Sequence, residues 1–490
     1  MPDASDPAPR PVMPPRPARR LPLLPFLKAA ATNSLAACDE ELFDELFVAR
    51  RYMHQRVFFV SDPDGIKRVL LDHVENYPRV ARIRRLFEAE LGTGSLASEG
   101  ETWWRHRRVA APTVDRRAIA SEIPALIRLT EATADEVERG PPGKTFDIES
   151  LIAGLLIRLW NQVVTGGDPG AVGMLNALSK VPRKPRLADL AGVSPLLELL
   201  RLRDRRGRRR AEFDEPLQAL IAERSAPGYA GPPDMIWRLL NMPDRKTGQT
   251  LPRAEVCDEA ASLIAGGVSP TMRALTWVWY LLALDPQVET RLHAELDSVV
   301  RSGPLSSVHL PQLTYLRQVI EETMRLYPPI PAILRQAAND DMLCGHPVPR
   351  RSIVAALPWV VHRHRRLWSE PDRFDPENFS ADRRAARHRF AYLPFAGGPR
   401  VCVGAGFAMT QMTIVVAVLA RRFRFRLAAE RPVVPVGHIS LHPYGGLHVT
   451  AEPRADRAAA RPISNAAPSA APASVMPTTR AGMTGWPTLS

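Results

Sequence analysis

The residues best placed to do chemistry lie in FAGGPRVCVGAGFAMTQMTIVVAVLARRF, which begins at Phe395 and carries the spacing F-x-x-G-x-R-x-C-x-G. A tight glycine loop runs into Cys402 and then into an apolar stretch with helical patterning. That order puts Cys402 at a helix N-terminus, where backbone N–H groups and the helix dipole favour a thiolate. A thiolate held there can bind a haem iron and push electron density toward a bound oxygen. Gly398 and Gly404 would let the backbone come close to the sulfur and to a porphyrin. Arg400 can reach a haem propionate. A lone buried cysteine is ordinarily structural; the spacing around Cys402 separates it from that alternative.

A second unusual stretch is LIAGGVSPTMRAL, from Leu263 to Leu275. It sits within an apolar, helix-patterned run, yet Pro270 interrupts it. A proline inside a helix loses one N–H bond and clashes with the carbonyl four residues back, at a cost of roughly 3 kcal/mol. Such a cost in a core helix calls for a local purpose.

Further motifs follow the same order along the chain as in one family. GSLASEGETWWRHRRVAAPTV, from Gly94, sets Trp103 and Arg107 four apart on a helical face, with Trp104 and Arg108 offering the same spacing one residue later. EETMRLYPP contains E-x-x-R as Glu322 and Arg325. PAILRQAANDD carries Arg335, and VVHRHRRLWSEPDRFDPENF leads to a PENF element with Asn378. With the cysteine loop, these motifs resemble the cytochrome P450 family of haem-thiolate enzymes over roughly residues 40–450.

The resemblance implies a mainly α fold with small β-sheets. Haem b would be buried between the long central helix and the cysteine-loop helix. It makes Cys402 the axial iron ligand and sets Phe395, Gly398, Arg400 and Gly404 in the haem loop. Trp103, Arg107 and Arg335 become propionate contacts, and Glu322 and Arg325 a structural ion pair. His362 and His364, tempting as iron ligands, become structural residues. Asn378 stands where the family has arginine, so the third charge of its triad is missing; Arg373 is a candidate replacement.

The resemblance also marks a departure. The family writes (A/G)-G-x-(D/E)-T-(T/S) on its central helix. Aligned on ALTW, Ser269 takes the acid position and Pro270 the threonine position; aligned on LIAGG, Val268 and Ser269 take them. The acid is lost either way. Cleaving an O–O bond requires two protons at the distal oxygen, usually organised by that acid and hydroxyl. Pro270 donates nothing, but it frees the carbonyl of Gly266 from its helical bond to hold a water. Ser269 and Thr271 keep hydroxyls nearby. The leading expectation is a monooxygenase inserting one oxygen atom into an apolar small molecule, with PPIPAIL lining the pocket. Its electrons would come from a separate ferredoxin or flavodoxin and a reductase. A peroxygenase or hydroperoxide-rearranging enzyme of the same fold is the first alternative, and a non-catalytic haem sensor or carrier the second.

The positioning elements read as mostly helical. CDEELFDELFVARRY is amphipathic and predicts a helix; RVFFVSDPDGIKRVLLD predicts strand, turn and helix. RAEVCDEAASLIAGGVSPTMRALTWVWYLLALD predicts one long helix, and SSVHLPQLTYLRQVIEETMRLYPP another, stopped by Pro328 and Pro329. Short strands and loops fill the final third. Residues 1–28, rich in proline and arginine, predict a flexible lead-in; 29–453 the haem domain; and 454–490 a disordered tail rich in Ala, Pro, Ser and Thr. Specificity is expected in residues 79–95 and 165–235.

Composition narrows the class. At 490 residues, 45% hydrophobic and 24% charged, the chain is long enough for a large core. Net charge +13 could draw nucleic acid, anionic lipid or an acidic protein. The densest run, RLRDRRGRRR from Arg201 to Arg210, reads as a solvated helix face, and no nucleic-acid motif accompanies it. The basic balance suits an acidic electron donor. Four cysteines without C-x-x-C spacing argue against a zinc site or disulfide framework and for a reducing compartment. No run of 18 apolar residues spans a membrane. A cytoplasmic monomer is the expectation.

Overall fold

In the computed structural model, residues 10–454 are described except Met53, residues 180–211 and Ser302. Helices dominate, and the strands gather into small sheets. The helices that frame the site are α1 (Leu23–Thr32), α2 (Gly100–Thr113), α3 (Ile148–Thr165), α4 (Arg253–Leu284), α5 (Thr314–Leu326) and α6 (Ala405–Arg422). The central one, α4, is 32 residues long and runs unbroken through Pro270. Most of its side chains are buried because α3, α5 and α6 all pack on it. A helix apolar on nearly every face belongs in the middle of a core.

Four strands, β1 (Phe47–Tyr52), β2 (Gln55–Val60), β4 (Ile333–Gln336) and β7 (Ile353–Ala356), form the largest sheet in the order β1-β2-β7-β4. The β2–β7 pairing is parallel and the other two are antiparallel. Strand β3 (Phe146–Asp147), the short pairs β5 (Asp341–Leu343) with β6 (His346–Val348) and β9 (Pro435–Gly437) with β10 (Leu441–Pro443), and the pair β8 (Phe423–Leu427) with β11 (His448–Pro453) complete the β-structure.

Three expectations need correction. The helix foreseen over CDEELFDELFVARRY covers only Glu41–Asp44. Phe47–Tyr52 is strand β1, because pairing with β2 buries Val48 and Arg50 on one face and outweighs the local helical period. The Asp62–Gly65 turn is instead a helix start, where Asp62 accepts the Asp64 and Gly65 N–H groups and Pro63 occupies the first turn. Residues 10–28 are not a free lead-in. The Arg16 guanidinium lies 4.0 Å over the Phe43 ring and 2.6 Å from Asp372. The Val12 N–H donates to the Tyr280 hydroxyl at 3.1 Å, and the Tyr327 hydroxyl donates to the Val12 carbonyl at 2.7 Å. α1 itself crosses the expected boundary at residue 28. The arginine-rich run 201–210 and the tail from 455 lie outside the described residues.

Candidate functional site

The cysteine loop folds through its own backbone. The Cys402 N–H donates to the Phe395 carbonyl at 2.9 Å, closing the loop just before α6 begins at Ala405. Gly398 has φ +66, and a Cβ there would lie 1.7 Å from the Leu70 carbonyl oxygen, so only glycine fits. Close packing on Leu70 therefore requires a glycine here. A Cβ at Gly404 would meet no protein atom within 4 Å, so packing does not demand glycine there. Ala396 takes the left-handed conformation, φ 60, a strain that a glycine would not carry.

The loop opens into a cavity of about 280 Å³. Phe395, Gly404 and Cys402 line one side, and Gly266, Gly267, Pro270 and Thr271 of α4 line another. Cys402 shows its exposed surface to this space. Burial pushes the Cys402 thiol up, and the Gly404 N–H and the Arg107 charge only partly offset it. The Gly404 N–H favours the thiolate, in keeping with the helix N-terminus, and a bound metal ion would deprotonate it outright.

Cations crowd one end. Arg79, Arg107 and Arg400 line the cavity, and Arg335 stands beside Arg400. Arg400 pairs with Glu99 and lies 4.1 Å over the ring of Trp103. Burial, then the charges of Arg400 and Arg335, brings Arg79 down to about 9. Burial and then Arg400 bring Arg335 down to about 10. Arg335 Nε and Arg400 Nη1 are buried with no hydrogen-bond partner. Glu99 is one carboxylate among four arginines, so the cluster keeps an excess of positive charge. A haem with two propionates, one soft thiolate ligand and an apolar body fits that excess and this lining.

The structure separates the two registers left open on α2. Trp103 is 4% exposed and lines the cavity with Arg107, whereas Trp104 is 38% exposed and Arg108 pairs with Asp244 and Glu101. Arg79 and Glu99 were missed. Neither belongs to a local spacing; a strand bridge from Arg79 to Arg335 and the Arg400–Glu99 pair bring them in. Arg79 thus sits at the charged end, although it opens a stretch expected to set specificity.

On α4, Gly267 is dictated by Trp160 of α3, since a Cβ there would fall 1.9 Å from the indole. Gly266 faces the cavity. Its carbonyl lacks the helical donor that Pro270 cannot supply. The Thr271 hydroxyl donates back to the Gly267 carbonyl at 2.8 Å. The Ser269 hydroxyl makes no hydrogen bond among the described residues. Ser269 lines an adjoining chamber of about 190 Å³ with Phe87, Leu91, Ala177, Leu178 and Phe213, while Leu96, Gly266, Pro270 and Ile330 line both spaces. Pro329, Ile330 and Ile333 bring PPIPAIL to the cavity as expected.

Behind the cysteine loop, Glu322 and Arg325 form a fully buried bidentate pair at 2.6 and 2.7 Å. Arg325 also donates to the carbonyls of His362, Pro371 and Arg373. Asn378 does reach Glu322, at 3.2 Å. Arg373 does not replace the missing cation, because its guanidinium pairs with Glu370 at the surface. Arg387 comes closer to that role: it donates to the Asn378 carbonyl, lies over Trp368 and Phe379, and feels the Glu322 charge. His362 accepts the Leu393 N–H through Nε2, and burial followed by Arg325 lowers it to about 3. It is a neutral structural residue away from the cavity lining, as is His364.

Comparison with known proteins agrees with this geometry. The family model described as Cytochrome P450 matches residues 14–448. The cyclooctat-9-en-7-ol 5-monooxygenase of Streptomyces melanosporofaciens is 31% identical over 378 residues, covering 76% of this chain and 80% of that protein. Human cytochrome P450 4B1 is 26% identical over 421 residues, covering 80% of each chain. The crystal structure of the cytochrome P450DA heme domain superposes with a TM-score of 0.74 at 19% identity, covering 90% of this chain and 97% of that one.

Proposed function

The chain belongs to the cytochrome P450 family and is a haem-thiolate monooxygenase of that family; from that premise we propose that it inserts one atom of dioxygen into an apolar small molecule, with electrons from a separate ferredoxin or flavodoxin and its reductase. The observation that carries the reading is the Cys402 thiol opening on a cavity walled by Gly266, Gly267, Pro270 and Thr271 and flanked by a cluster of arginines in excess of their one carboxylate. Cys402 would hold the haem iron through its sulfur, and Arg79, Arg107, Arg335 and Arg400 would neutralise the propionates. When bound, the haem supplies dioxygen binding and reductive activation. The residues of α4 govern water and protons: the Gly266 carbonyl holds a water, and Ser269 is the hydroxyl left free to donate. The chamber beside Ser269 is lined mainly by apolar side chains and suits an apolar substrate. The Streptomyces relative, named for cyclooctat-9-en-7-ol, supports a substrate of that kind. The enzyme acts as a cytoplasmic monomer. Among the described residues, no helix is long and apolar enough to cross a membrane.

A second reading has its own observation. With Pro270 unable to donate and the Thr271 hydroxyl committed to Gly267, hydrogen peroxide is a competent alternative oxidant. Product from one substrate under NAD(P)H with surrogate redox partners, set against peroxide alone, tests both readings. Electron-driven product supports the monooxygenase. Peroxide-only product moves the peroxygenase ahead.

A further inference from the structure

One turn and more upstream of Gly266, α4 carries polar groups that the mechanism so far leaves unused. His106 of α2 is fully buried between two carboxylates of α4. Its Nδ1 lies 2.7 Å from Glu259 Oε2, and its Nε2 lies 3.1 Å from Glu255 Oε2. Glu255 is the outer end: its side chain is 25% exposed and also takes Arg105 at 2.5 Å. Glu259 is the inner end. Its Oε2 accepts the Ser95 N–H at 2.7 Å, while its Oε1 is buried with no partner. The Ser262 hydroxyl, three residues along the same helix, is also buried and unpartnered, and Ser262 lines the cavity. Residues three apart on a helix are neighbours, with Cβ atoms about 5–6 Å apart, a gap that one bridging water spans. The loop holds Ser262 closely: a Cβ on Gly94 would lie 2.3 Å from its hydroxyl oxygen.

An imidazole with a carboxylate on each nitrogen can take a proton at one and release one at the other. We propose that Glu255, His106, Glu259 and Ser262 form a proton inlet from solvent to the cavity face of α4, serving in place of the acid that this helix lacks. The inference rests on the monooxygenase reading. In one passage, Nε2 accepts a proton from the Glu255 side and Nδ1 passes one to Glu259. Glu259 hands it through a water to Ser262 and the water at the Gly266 carbonyl. One proton enters, one leaves, and no electrons move. Burial works against a charged His106, but the bond and charge of Glu259, then Glu255, outweigh it and raise its pKa. The other charges near this chain of groups are Arg105 on Glu255 and Arg79 and Arg107 near Glu259; Arg108 is turned away onto Asp244.

A simple tie between α2 and α4 would use the same contacts, so the test separates the two roles. In holoenzyme carrying Glu259→Gln, the ratio of electron-driven to peroxide-driven product should fall at least about tenfold. The solvent isotope effect on electron-driven turnover should rise. Ser262→Ala, which leaves both His106 bonds intact, should lower the same ratio by a smaller factor. An unchanged ratio in both variants, with electron-driven product still made, would overturn the inlet. Absence of electron-driven product in the wild type would instead overturn the monooxygenase reading and the inlet with it. A readout apart from turnover is the thermal midpoint of holoenzyme, wild type minus His106→Gln, from pH 5 to 10. A raised folded pKa contributes stability fully present below the unfolded value, about 6.5, and lost as pH rises through the folded value. The difference should therefore shrink with rising pH. A flat difference would show that the imidazole does not take up the proton and would overturn the proposal.

Discussion

The two walls of the cavity are built on opposite rules. On the cysteine side, a short loop closes on itself: the Cys402 N–H meets the Phe395 carbonyl, Gly398 presses on Leu70, and α6 starts at Ala405. Its fixed residues are neighbours in sequence, so their spacing alone describes the geometry. On the α4 side, the helix is continuous and the local pattern is what fails. In either alignment no acid stands at the expected place, and Pro270 interrupts the run, so on the proposed reading compensation comes from groups far away in sequence. On the proposed reading, the metal is held by residues close in sequence, whereas protons are delivered by residues brought together only by the fold.

The sharpest way to break this contrast is at the rigid wall. Cys402→Ala should abolish the red-shifted Soret band of the reduced carbon monoxide complex. A spectrum that keeps the band would remove Cys402 as ligand and end the comparison. Next in size is the support behind that wall. Glu322→Ala strands the buried Arg325 and should cost about 3–5 kcal/mol in denaturant unfolding. A loss under about 1 kcal/mol would mean that the Asn378 amide oxygen and the carbonyls already on Arg325 suffice to hold it.

The charged end sharpens the comparison because its effects should change sign with the cofactor. Arg335→Met should weaken haem retention by roughly 1.5–3 kcal/mol, yet stabilise the haem-free chain by about 1 kcal/mol by relieving like-charge crowding. Haem transfer to an acceptor protein, paired with melting of the haem-free form, reads both. The same sign in both forms would show that the arginines are not arranged around an anion. The smallest effects belong to the α4 wall. Pro270→Thr should restore a hydroxyl and raise product formed per NAD(P)H about two- to fivefold, less than a factor equivalent to 1.4 kcal/mol. Ser269→Ala should lower that ratio more than Thr271→Ala does, since the Thr271 hydroxyl is already bonded to Gly267. Tight coupling in the wild type with no response to Pro270→Thr would show that proton delivery needs no hydroxyl there.

What could be read from sequence follows the same division. The cysteine loop, the Trp103–Arg107 face and the Glu322–Arg325 pair all lie within one loop or one helical turn, so residue spacing is enough to place them. Arg79, Glu99 and Arg387 act only after a strand bridge, a loop crossing and a turn bring them near Arg335, Arg400 and Asn378. His106 stands 153 residues from Glu259, and nothing in either neighbourhood points to the other. Strand β1 was hidden for a related reason. Phe47–Tyr52 continues a helical period smoothly, and only its partner β2 decides the matter.

The docked N-terminus carries a consequence for the order of events during synthesis. Val12 bonds to side chains 268 and 315 residues downstream. Chains leave the ribosome N-terminal part first, at about 5–20 residues per second. The first described residues must therefore wait for Tyr327 to emerge, tens of seconds, before they can seat. Contacts of such long range are slow to form and add little to the early folding nucleus. The segment from Val12 to Arg16 is thus placed to act as a late fastener, slowing unfolding more than it speeds folding. Its removal should show mainly as a faster unfolding limb, with the refolding limb little changed.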